Sequence, residues 1–453
     1  MLEAMVQTLN TIAWQYILLP CVLVGGIYLS VRSRGLQFTR FPRAMRHTFG
    51  RLRQHDTAQK GELSPRQALS TALAGSIGTG NIIGTGQAVA LGGYGAVFWL
   101  WAAALLGMMI KYAEIALAIR YRQRDEAGDW VGGPMYYIVN GMGSRRKWLA
   151  SAFCIFAVCA SFGIGNLSQS HAICSAVQGV LDAYSPKTTL PPAVVGCVLA
   201  ILVALVLFGG MKRLGQVTER IVPAMCGVYL AMCLCVIAAN ALQIPKVLGK
   251  IVVAAFAPQA VLGAASGIAM RQAVVWGLRR SAFSNEAGLG SAAIAHSAAQ
   301  TKSPAEQGLC GIVEVFVDTV VICSVTALAI LLSGVKIPFG SKTGVELPTA
   351  AFATVLGTKL SALLVAACLI LFAFTTILGW SLYGARCVQF LLGTKAVPVY
   401  QLLFLAVTLL GTGLRADIVW ELADTCNALM AIPNFTALFS LSGVVAQLSK
   451  DKS

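Results

Sequence analysis

The sequence predicts an all-α polytopic membrane protein with about eleven transmembrane helices, because its residues are unusually apolar and its apolar segments are long and do not alternate. Of the 453 residues, 57% are hydrophobic and 11% are charged, whereas soluble domains have about 45–50% and about 25%. The apolar stretches repeatedly reach the roughly 20 residues that a helix needs to cross a bilayer. Strands of a membrane barrel would alternate polar and apolar residues over about ten positions. The spans are therefore expected to be helices, which satisfy their own backbone hydrogen bonds.

The apolar segments predict where these helices lie and how they are grouped. The expected spans are 12–31, 66–92, 94–119, 147–182, 190–208, 215–242, 262–300, 306–334, 359–386, 397–414 and 417–448. They fall into three units, namely an N-terminal transmembrane helix with a basic segment (1–65), a five-helix repeat (66–245) and a second, inverted five-helix repeat (262–448).

The basic residues predict the orientation of the chain. Most loop Lys and Arg residues lie in alternate loops, including the segment 32–66. Such residues collect on the cytoplasmic side, so we expect a multi-pass inner-membrane protein with its N-terminus outside and its C-terminus in the cytoplasm. The segment 37–54 is interpreted as an amphipathic helix on the inner membrane face or as a plain basic connector. Because the net charge of +16 is spread over these loops, it does not indicate a nucleic-acid partner.

Two polar, Gly-rich segments interrupt the second and seventh spans. Gly75–Gly86 reads GSIGTGNIIGTG, and Arg279–Ser291 reads RRSAFSNEAGLGS. Both contain the pattern N-x-x-G-x-G, which begins at Asn81 and at Asn285. Each pattern opens a set of five spans, and an odd number of spans turns the second set upside down. This is the plan of inverted-repeat transporters, in which each half has a broken helix at a matching position.

Broken helices predict a binding chemistry. An exposed helix N-terminus offers free N–H groups and a partial positive charge, which suit a carboxylate. Unwound carbonyl groups suit a cation such as sodium. One broken helix therefore offers sites for the carboxylate of an amino acid and for a coupling ion.

Other polar residues lie within the expected spans. Asn166 and Gln169 share one helical face, and such amides either join helices or contact substrate. Thr375 and Thr376 are adjacent, and Trp380 shares a face with Thr376. The two hydroxyls are interpreted as ligands of sodium or as groups that bond to their own helix.

Four acidic residues are expected inside the membrane: Glu114, Glu286, Glu314 and Asp318. Such residues are functional candidates by default. Glu114 follows Lys111 by three positions, so a structural ion pair is the alternative there. Glu286 is placed to pair with Arg279 or Arg280.

Several segments resemble one family over nearly the whole chain. They are GTGNIIGTGQAVALGGYGAVFWLWAAALLGM, KYAE, GGPMYYI, FGIGN, FSNEAGLGSA, EVFVDT and TTILGWSLYGAR. The sequence is similar to the alanine or glycine:cation symporter family (sodium:alanine symporters) of the amino acid–polyamine–organocation superfamily. The resemblance implies a leucine-transporter-type 5+5 inverted repeat, here preceded by one extra N-terminal helix.

The resemblance also implies a function. The expected activity is that of a secondary active symporter that imports a small neutral amino acid (alanine, glycine, or a related one such as D-alanine), coupled to sodium by alternating access. The alternative is a proton-coupled or uncoupled amino acid carrier that uses Glu286 or Asp318. No nucleophile or metal-ligand motif is present in the sequence, so neither an enzyme nor a cofactor is expected. The expected partners are the amino acid, sodium and the lipid bilayer, with no obligate protein partner.

The resemblance assigns residues to the site. The implied substrate-binding residues are Gly80, Asn81, Gly84, Thr85, Gln87, Gln169, Ser284, Asn285, Thr376 and Trp380. The implied sodium ligands are the hydroxyls of Thr375 and Thr376, with carbonyls near Ile77 and Gly78. Trp380 is expected to limit the size of the substrate side chain, and Thr376 is shared between the two assignments. The chain departs from many relatives at Ala385, where they carry an acid.

Overall fold

The structure is a computed structural model that describes residues 2–52, 63–185, 188–256, 270–413 and 417–450. Helices make up most of it. One two-stranded antiparallel sheet joins Gln123–Arg124 (β1) to Trp130–Val131 (β2). The all-α prediction is confirmed.

The N-terminal part contains one long helix and two short ones. Its elements are α1 (Leu2–Thr11), a π-helical segment (Ile12–Leu18), α2 (Leu19–Arg32), α3 (Leu36–Thr39) and α4 (Phe41–Leu52). Helix α4 lies within the segment 37–54 that was predicted to be an amphipathic helix; residues 53 and 54 are outside the described residues. Ala44 and Thr48 are buried, whereas Arg46 and Phe49 are exposed, so α4 has two distinct faces. Its place on the inner membrane face stays a prediction.

The part of the chain expected to form the first repeat begins with a broken helix. Its elements are α5 (Pro65–Ser76), a π-helical segment (Gly80–Gly84), α6 (Thr85–Tyr121), α7 (Pro134–Met142), a 3-10 turn (Ser144–Arg146), α8 (Lys147–Phe162), a π-helical segment (Gly163–Leu167), α9 (Ser168–Tyr184), α10 (Pro192–Leu207), α11 (Gly210–Ala239), a 3-10 turn (Ala241–Gln243) and α12 (Ile244–Phe256). Helix α5 starts with a capping box, in which Ser64 and Gln67 satisfy each other's backbone N–H groups.

The part expected to form the second repeat also begins with a broken helix. Its elements are α13 (Met270–Asn285), α14 (Ser291–Ser297), α15 (Pro304–Val315), a π-helical segment (Phe316–Cys323), α16 (Ser324–Leu332), α17 (Glu346–Leu356), α18 (Thr358–Leu392), a 3-10 turn (Thr394–Ala396), α19 (Val397–Gly411), α20 (Asp417–Leu429), α21 (Ala431–Ser440) and α22 (Ser442–Leu448). The expected last span, 417–448, is thus not one straight helix, since the chain bends by 64° between Ser440 and Ser442. The division into 1–65, 66–245 and 262–448 stays a prediction.

The number of membrane-crossing helices agrees roughly with the expected eleven. Seven described helices are long and apolar enough to cross a membrane, and the bent pair at the C-terminus makes eight. Broken or shorter helices account for the difference. The long helix α6 contains the boundary expected between 92 and 94, because Gly93 has φ 67° and ψ −166° and interrupts the helix there. A positive φ of this kind is readily adopted only by glycine.

Small residues let neighbouring helices pack closely against the two broken helices. A Cβ on Gly277 in α13 would lie 2.5 Å from the carbonyl oxygen of Ala96 in α6, and one on Gly379 in α18 would lie 2.8 Å from the backbone of Gly75 in α5. Small residues are used in this way where membrane helices pack. The unwound segments are therefore buried between helices, where irregular backbone is tolerated.

Candidate substrate and ion site

The first break separates α5 from the π-helical turn at Gly80. Ile77 leaves the helix with φ −76° and ψ 95°. The side-chain oxygen of Asn81 accepts a hydrogen bond of 3.0 Å from the backbone N–H of Gly78. Asn81 thus replaces a backbone partner that unwinding has removed.

A cavity lies beside this break. It is lined by Gly75, Ser76, Gly78, Gly80, Ile164, Gln169, Phe283, Glu286, Thr376, Trp380 and Asn427. The cavity offers about 20 Å³ to the centres of water-sized spheres, and about 10–15 Å³ on this measure holds one water molecule. The cavity is therefore too small for an amino acid, and a molecule of that size requires the surrounding helices to separate.

Residues from five other helical segments complete the walls. Gln169 accepts a hydrogen bond of 3.1 Å from the hydroxyl of Thr79, which joins α9 to the first break. Trp380 of α18 packs against Gly165, where an added Cβ would lie 2.3 Å from the Trp380 Cβ. Among the described residues, the side-chain oxygen of Asn427 has no hydrogen-bond partner, so it is available to a molecule in the cavity.

The hydroxyls of the two adjacent threonines of α18 face different neighbours. The hydroxyl of Thr376 lies 3.5 Å from the carbonyl oxygen of Ile77 and 2.9 Å from that of Phe372. The hydroxyl of Thr375 lies 3.0 Å from the carbonyl oxygen of Leu371, one turn back, and 3.5 Å from the sulfur of Met225 in α11. Thr376 therefore faces the first break, and Thr375 faces α11.

A carboxylate links the two broken helices. Asp318 accepts hydrogen bonds from the Asn81 amide at 2.7 Å and from the Ser284 hydroxyl at 2.8 Å. The next residue, Thr319, accepts one of 3.0 Å from the Asn285 amide. Asp318 and Thr319, both fully buried, thus join the asparagines of both N-x-x-G-x-G patterns to one π-helical segment.

The second break is held by side chains. The Asn285 side-chain oxygen accepts a hydrogen bond of 3.0 Å from the N–H of Ala287. Glu114 accepts one of 2.9 Å from the N–H of Gly288 and one of 2.6 Å from the amide of Asn434. Glu286 has a positive φ of 55° and accepts a hydrogen bond from Ser291. The freed backbone groups of this break are thus occupied within the protein.

The expected pairings of the buried charges were wrong. Lys111 pairs with Glu314 at 3.3 Å rather than with Glu114, and His296 contacts the other oxygen of Glu314 at 3.0 Å. Sequence spacing favoured Glu114, but Lys111 reaches across to α15 instead.

Nor does Glu286 pair with either arginine of α13. Arg279 binds Asp424 of α20 at 2.7 Å, and Arg280 donates to Gln87 of α6. Arg280 also lies 3.5 Å from where a Cβ on Gly84 would stand. These arginines thus connect α13 to neighbouring helices at positions that precede the second break in the chain.

The residues expected at the site divide into two groups. Four of them line the cavity: Gly80, Gln169, Thr376 and Trp380. The others lie behind this wall: Asn81, Gly84, Thr85, Gln87, Ser284 and Asn285. Sequence reasoning missed the lining residues Ser76, Ile164, Phe283 and Asn427 as site residues; the only available signal was that Asn427 is an amide in an apolar segment.

Polar contacts lie on both sides of the cavity. Arg279 and Asp424 lie on the side where α13 begins, before the second break. Past the break, Arg122 donates to the carbonyl oxygens of Ser297, Ala299 and Thr301 at 2.7–2.8 Å, and so covers the end of α14.

A second contact on that side joins α18 to the loop after α6. Arg386 lies 3.5 Å from Asp125 and 3.7 Å from Asp129. Arg386 thus finds its acidic partners in this loop. Two broken helices around a central cavity are the plan of a secondary transporter.

The comparisons with known proteins identify the family. The chain matches the model of the sodium:alanine symporter family over residues 1–452, and it belongs to this family. It is 40% identical to the sodium/alanine symporter AgcS of Methanococcus maripaludis, over 99% of this chain and 96% of that protein. It is 36% identical to the probable sodium/glutamine symporter GlnT of Bacillus subtilis, over 99% of this chain and 90% of that protein.

A solved structure confirms the fold. The structure of MhsT in complex with L-phenylalanine matches with a TM-score of 0.60 and 15% sequence identity, over 87% of this chain and 94% of that chain. The leucine-transporter-type fold expected from the sequence is therefore present. The protein is an integral membrane amino acid transporter and not an enzyme.

Proposed function

We propose that the protein is a secondary active symporter that imports a small neutral amino acid, alanine or glycine, together with sodium by alternating access. The observation that carries this proposal is the cavity at the first break, which has unwound backbone on one side and the Thr376 hydroxyl on another. The N–H groups of the glycine-rich turn suit the substrate carboxylate. Asn427 and Gln169 supply polar groups for the amino group.

The walls of the cavity support a small substrate. Trp380, Phe283 and Ile164 are large and border a space of about 20 Å³. Trp380 has no room to withdraw toward Gly165, because its Cβ already lies close to that backbone. A substrate with a short side chain requires the least separation of these walls.

The first break and α18 support the sodium site. The carbonyl of Ile77 and the hydroxyl of Thr376 are hard oxygen ligands of the kind that sodium sites use in broken-helix transporters. The hydroxyl of Thr375, the other expected ligand, lies on the side of α18 that faces α11. An ion between Ile77 and Thr376 would hold the first break against α18, so substrate affinity rises with sodium. By reciprocity, the substrate raises sodium affinity equally.

The polar residues behind the wall shape the site indirectly. Asn81 and Ser284 bind Asp318, Asn285 binds Thr319, and Gln87 binds Arg280. These residues hold the two breaks in register, while Gly84 and Thr85 form the turn that follows the first break. We further propose that the protein lies in the cell inner membrane with its N-terminus outside.

The experiment is uptake of labelled alanine and glycine into proteoliposomes. We expect uptake with an inward sodium gradient and little with choline in its place. A panel of L- and D-amino acids as competitors gives the preference and the chirality. Uptake that is independent of the sodium gradient and is driven by a pH step would overturn sodium coupling.

Such a result would instead favour a proton-coupled carrier. The buried Asp318 between the two breaks and Glu286 beside the cavity are the observations that support this second candidate. Replacement of Asp318 by Asn should then abolish the response to the pH step.

A further inference from the structure

The N-terminal helix, which lies outside the ten-helix core, contributes a side chain to the Arg279–Asp424 contact. Asn10 is 7% exposed. Its amide nitrogen donates to Asp424 at 2.9 Å, and its oxygen accepts from Arg279 at 2.9 Å. Because the same atoms of Arg279 and Asp424 also bind each other at 2.7 Å, the three side chains form a closed ring.

A second residue of the same helix supports this ring. Trp14, which is fully buried, lies under the Arg279 guanidinium at 4.9 Å from ring centre to carbon. Cation–π contacts of this kind stabilise a partly desolvated arginine. The N-terminal helix therefore both bonds to Arg279 and covers it.

The ring stands one helical turn away from the cavity wall. Arg279 precedes Phe283 by four residues in α13, and Asp424 precedes Asn427 by three residues in α20; Phe283 and Asn427 both line the cavity. Residues three or four apart share a helix face. The ring therefore closes the cavity where α13 and α20 meet, on the side that carries the N-terminus of α13.

We propose that the N-terminal helix is the third closing element on this side, and that Asn10 sets how readily α20 separates from α13. The inference rests on the proposed transport by alternating access, in which this contact must open and close. The two shortest hydrogen bonds of Asn10, those to Asp424 and Arg279, involve a charged partner, and such bonds are stronger than neutral ones. The Asn10 amide nitrogen also lies 3.4 Å from the carbonyl oxygen of Glu421 and 3.3 Å from the hydroxyl of Thr425, both in α20. Loss of the Asn10 amide should therefore raise the open fraction by about tenfold.

The test is hydrogen exchange of the purified full-length protein, without substrate, followed by mass spectrometry over 417–429 and 270–285. We expect Asn10→Ala to increase exchange in these segments by about tenfold. Thr11→Ala is the matched control, since Thr11 is exposed and its hydroxyl bonds only to Gln7 of its own helix. Exchange in the Thr11→Ala variant should equal that of the parent.

A double variant tests whether Asn10 acts through the ring. In an Asp424→Ala background, Asn10→Ala should add much less than it does in the parent, because Asn10 has then already lost its charged partner in α20. Fully additive effects, or parental exchange in Asn10→Ala, would overturn the proposal. If Asn10→Ala does not fold, Asn10→Asp replaces it. This variant keeps the oxygen that accepts from Arg279 but cannot donate to Asp424. Exchange equal to that of the parent in Asn10→Asp would equally overturn the proposal.

The readout separates this inference from the proposed function. Exchange is measured without alanine or sodium, so a protein that fails to take up alanine would refute the proposed substrate only. Equal exchange in Asn10→Ala and in the parent would refute the role of the N-terminal helix only.

Discussion

The two broken helices carry the same N-x-x-G-x-G pattern at their breaks, yet they use their unwound backbone differently. At the first break, three glycines border the cavity, namely Gly75, Gly78 and Gly80. At the second break, Glu114 and Asn434 occupy the N–H and the carbonyl of Gly288. The first break thus leaves backbone groups beside the cavity, whereas the second has them taken up by the protein itself.

This difference indicates that the first break serves in binding and that the second break has a structural role. Freed backbone groups inside a membrane protein need partners, and those partners are side chains at the second break. At the first break, Asn81 satisfies the N–H of Gly78, and the Thr376 hydroxyl lies 3.5 Å from the carbonyl oxygen of Ile77. We therefore expect substrate and sodium to complete the first break, so its order depends on them, whereas the second break is ordered without them.

Asp318 connects the two breaks, and its loss should have the largest effect. It accepts hydrogen bonds from Asn81, Ser284 and Thr319 at 2.7–2.8 Å. In Asp318→Ala, several buried donors lose a charged partner, so alanine uptake should fall more than about 100-fold. Asp182→Ala is the control, because this exposed carboxylate also binds a side-chain amide, that of Gln178. Uptake within a few-fold of the parent in Asp318→Ala would show that the breaks do not need this link.

The two asparagines of the pattern should separate binding from stability. Asn81→Ala should lower alanine affinity by roughly 5–150-fold, since loss of a buried polar partner costs about 1–3 kcal/mol. Asn285→Ala should instead lower the thermal stability of the substrate-free protein and change affinity less. Binding and melting measurements on both variants check this. Equal losses of affinity in the two would remove the distinction between the breaks.

A milder change at the second break should have the smallest effect. Glu114→Gln keeps an oxygen that can accept from Gly288 but removes the charge. We expect a loss of about 1 kcal/mol in stability and near-parental affinity for alanine. A large loss of affinity without loss of stability would instead place Glu114 in the transport cycle.

Much of the fold could be predicted from the sequence, because it depends on local signals. The glycine-rich breaks, the repeated pattern and the boundary at Gly93 all follow from residue types and spacing. The bend at the C-terminus was missed, because only the small polar residues Ser440 and Ser442 mark it and the residues around them are mostly apolar. Apolar character shows that a segment lies in the membrane and does not show where it bends.

The site could be predicted less completely, because its contacts join residues far apart in the chain. Asn81 and Asp318 are 237 positions apart, and nothing in either local sequence indicates that they bind each other. Spacing offered Glu114 as an alternative partner for Lys111, although its partner Glu314 lies on another helix. Lining residues such as Ile164 and Phe283 carry no chemical signal, since large apolar residues are common throughout the spans.

The most direct test of the account is a sodium titration of substrate affinity in variants of the two threonines. Thr376 contacts the carbonyl of Ile77 in the first break, whereas Thr375 bonds to its own helix. We predict that Thr376→Ala raises the sodium concentration for half-maximal alanine binding by about tenfold. Saturating sodium should restore most of the affinity for alanine in this variant. Thr376→Ser, which keeps the hydroxyl, should behave like the parent. Thr375→Ala should shift the sodium dependence less. Sodium dependence equal to that of the parent in both alanine variants would contradict the claim that sodium binds between the first break and α18.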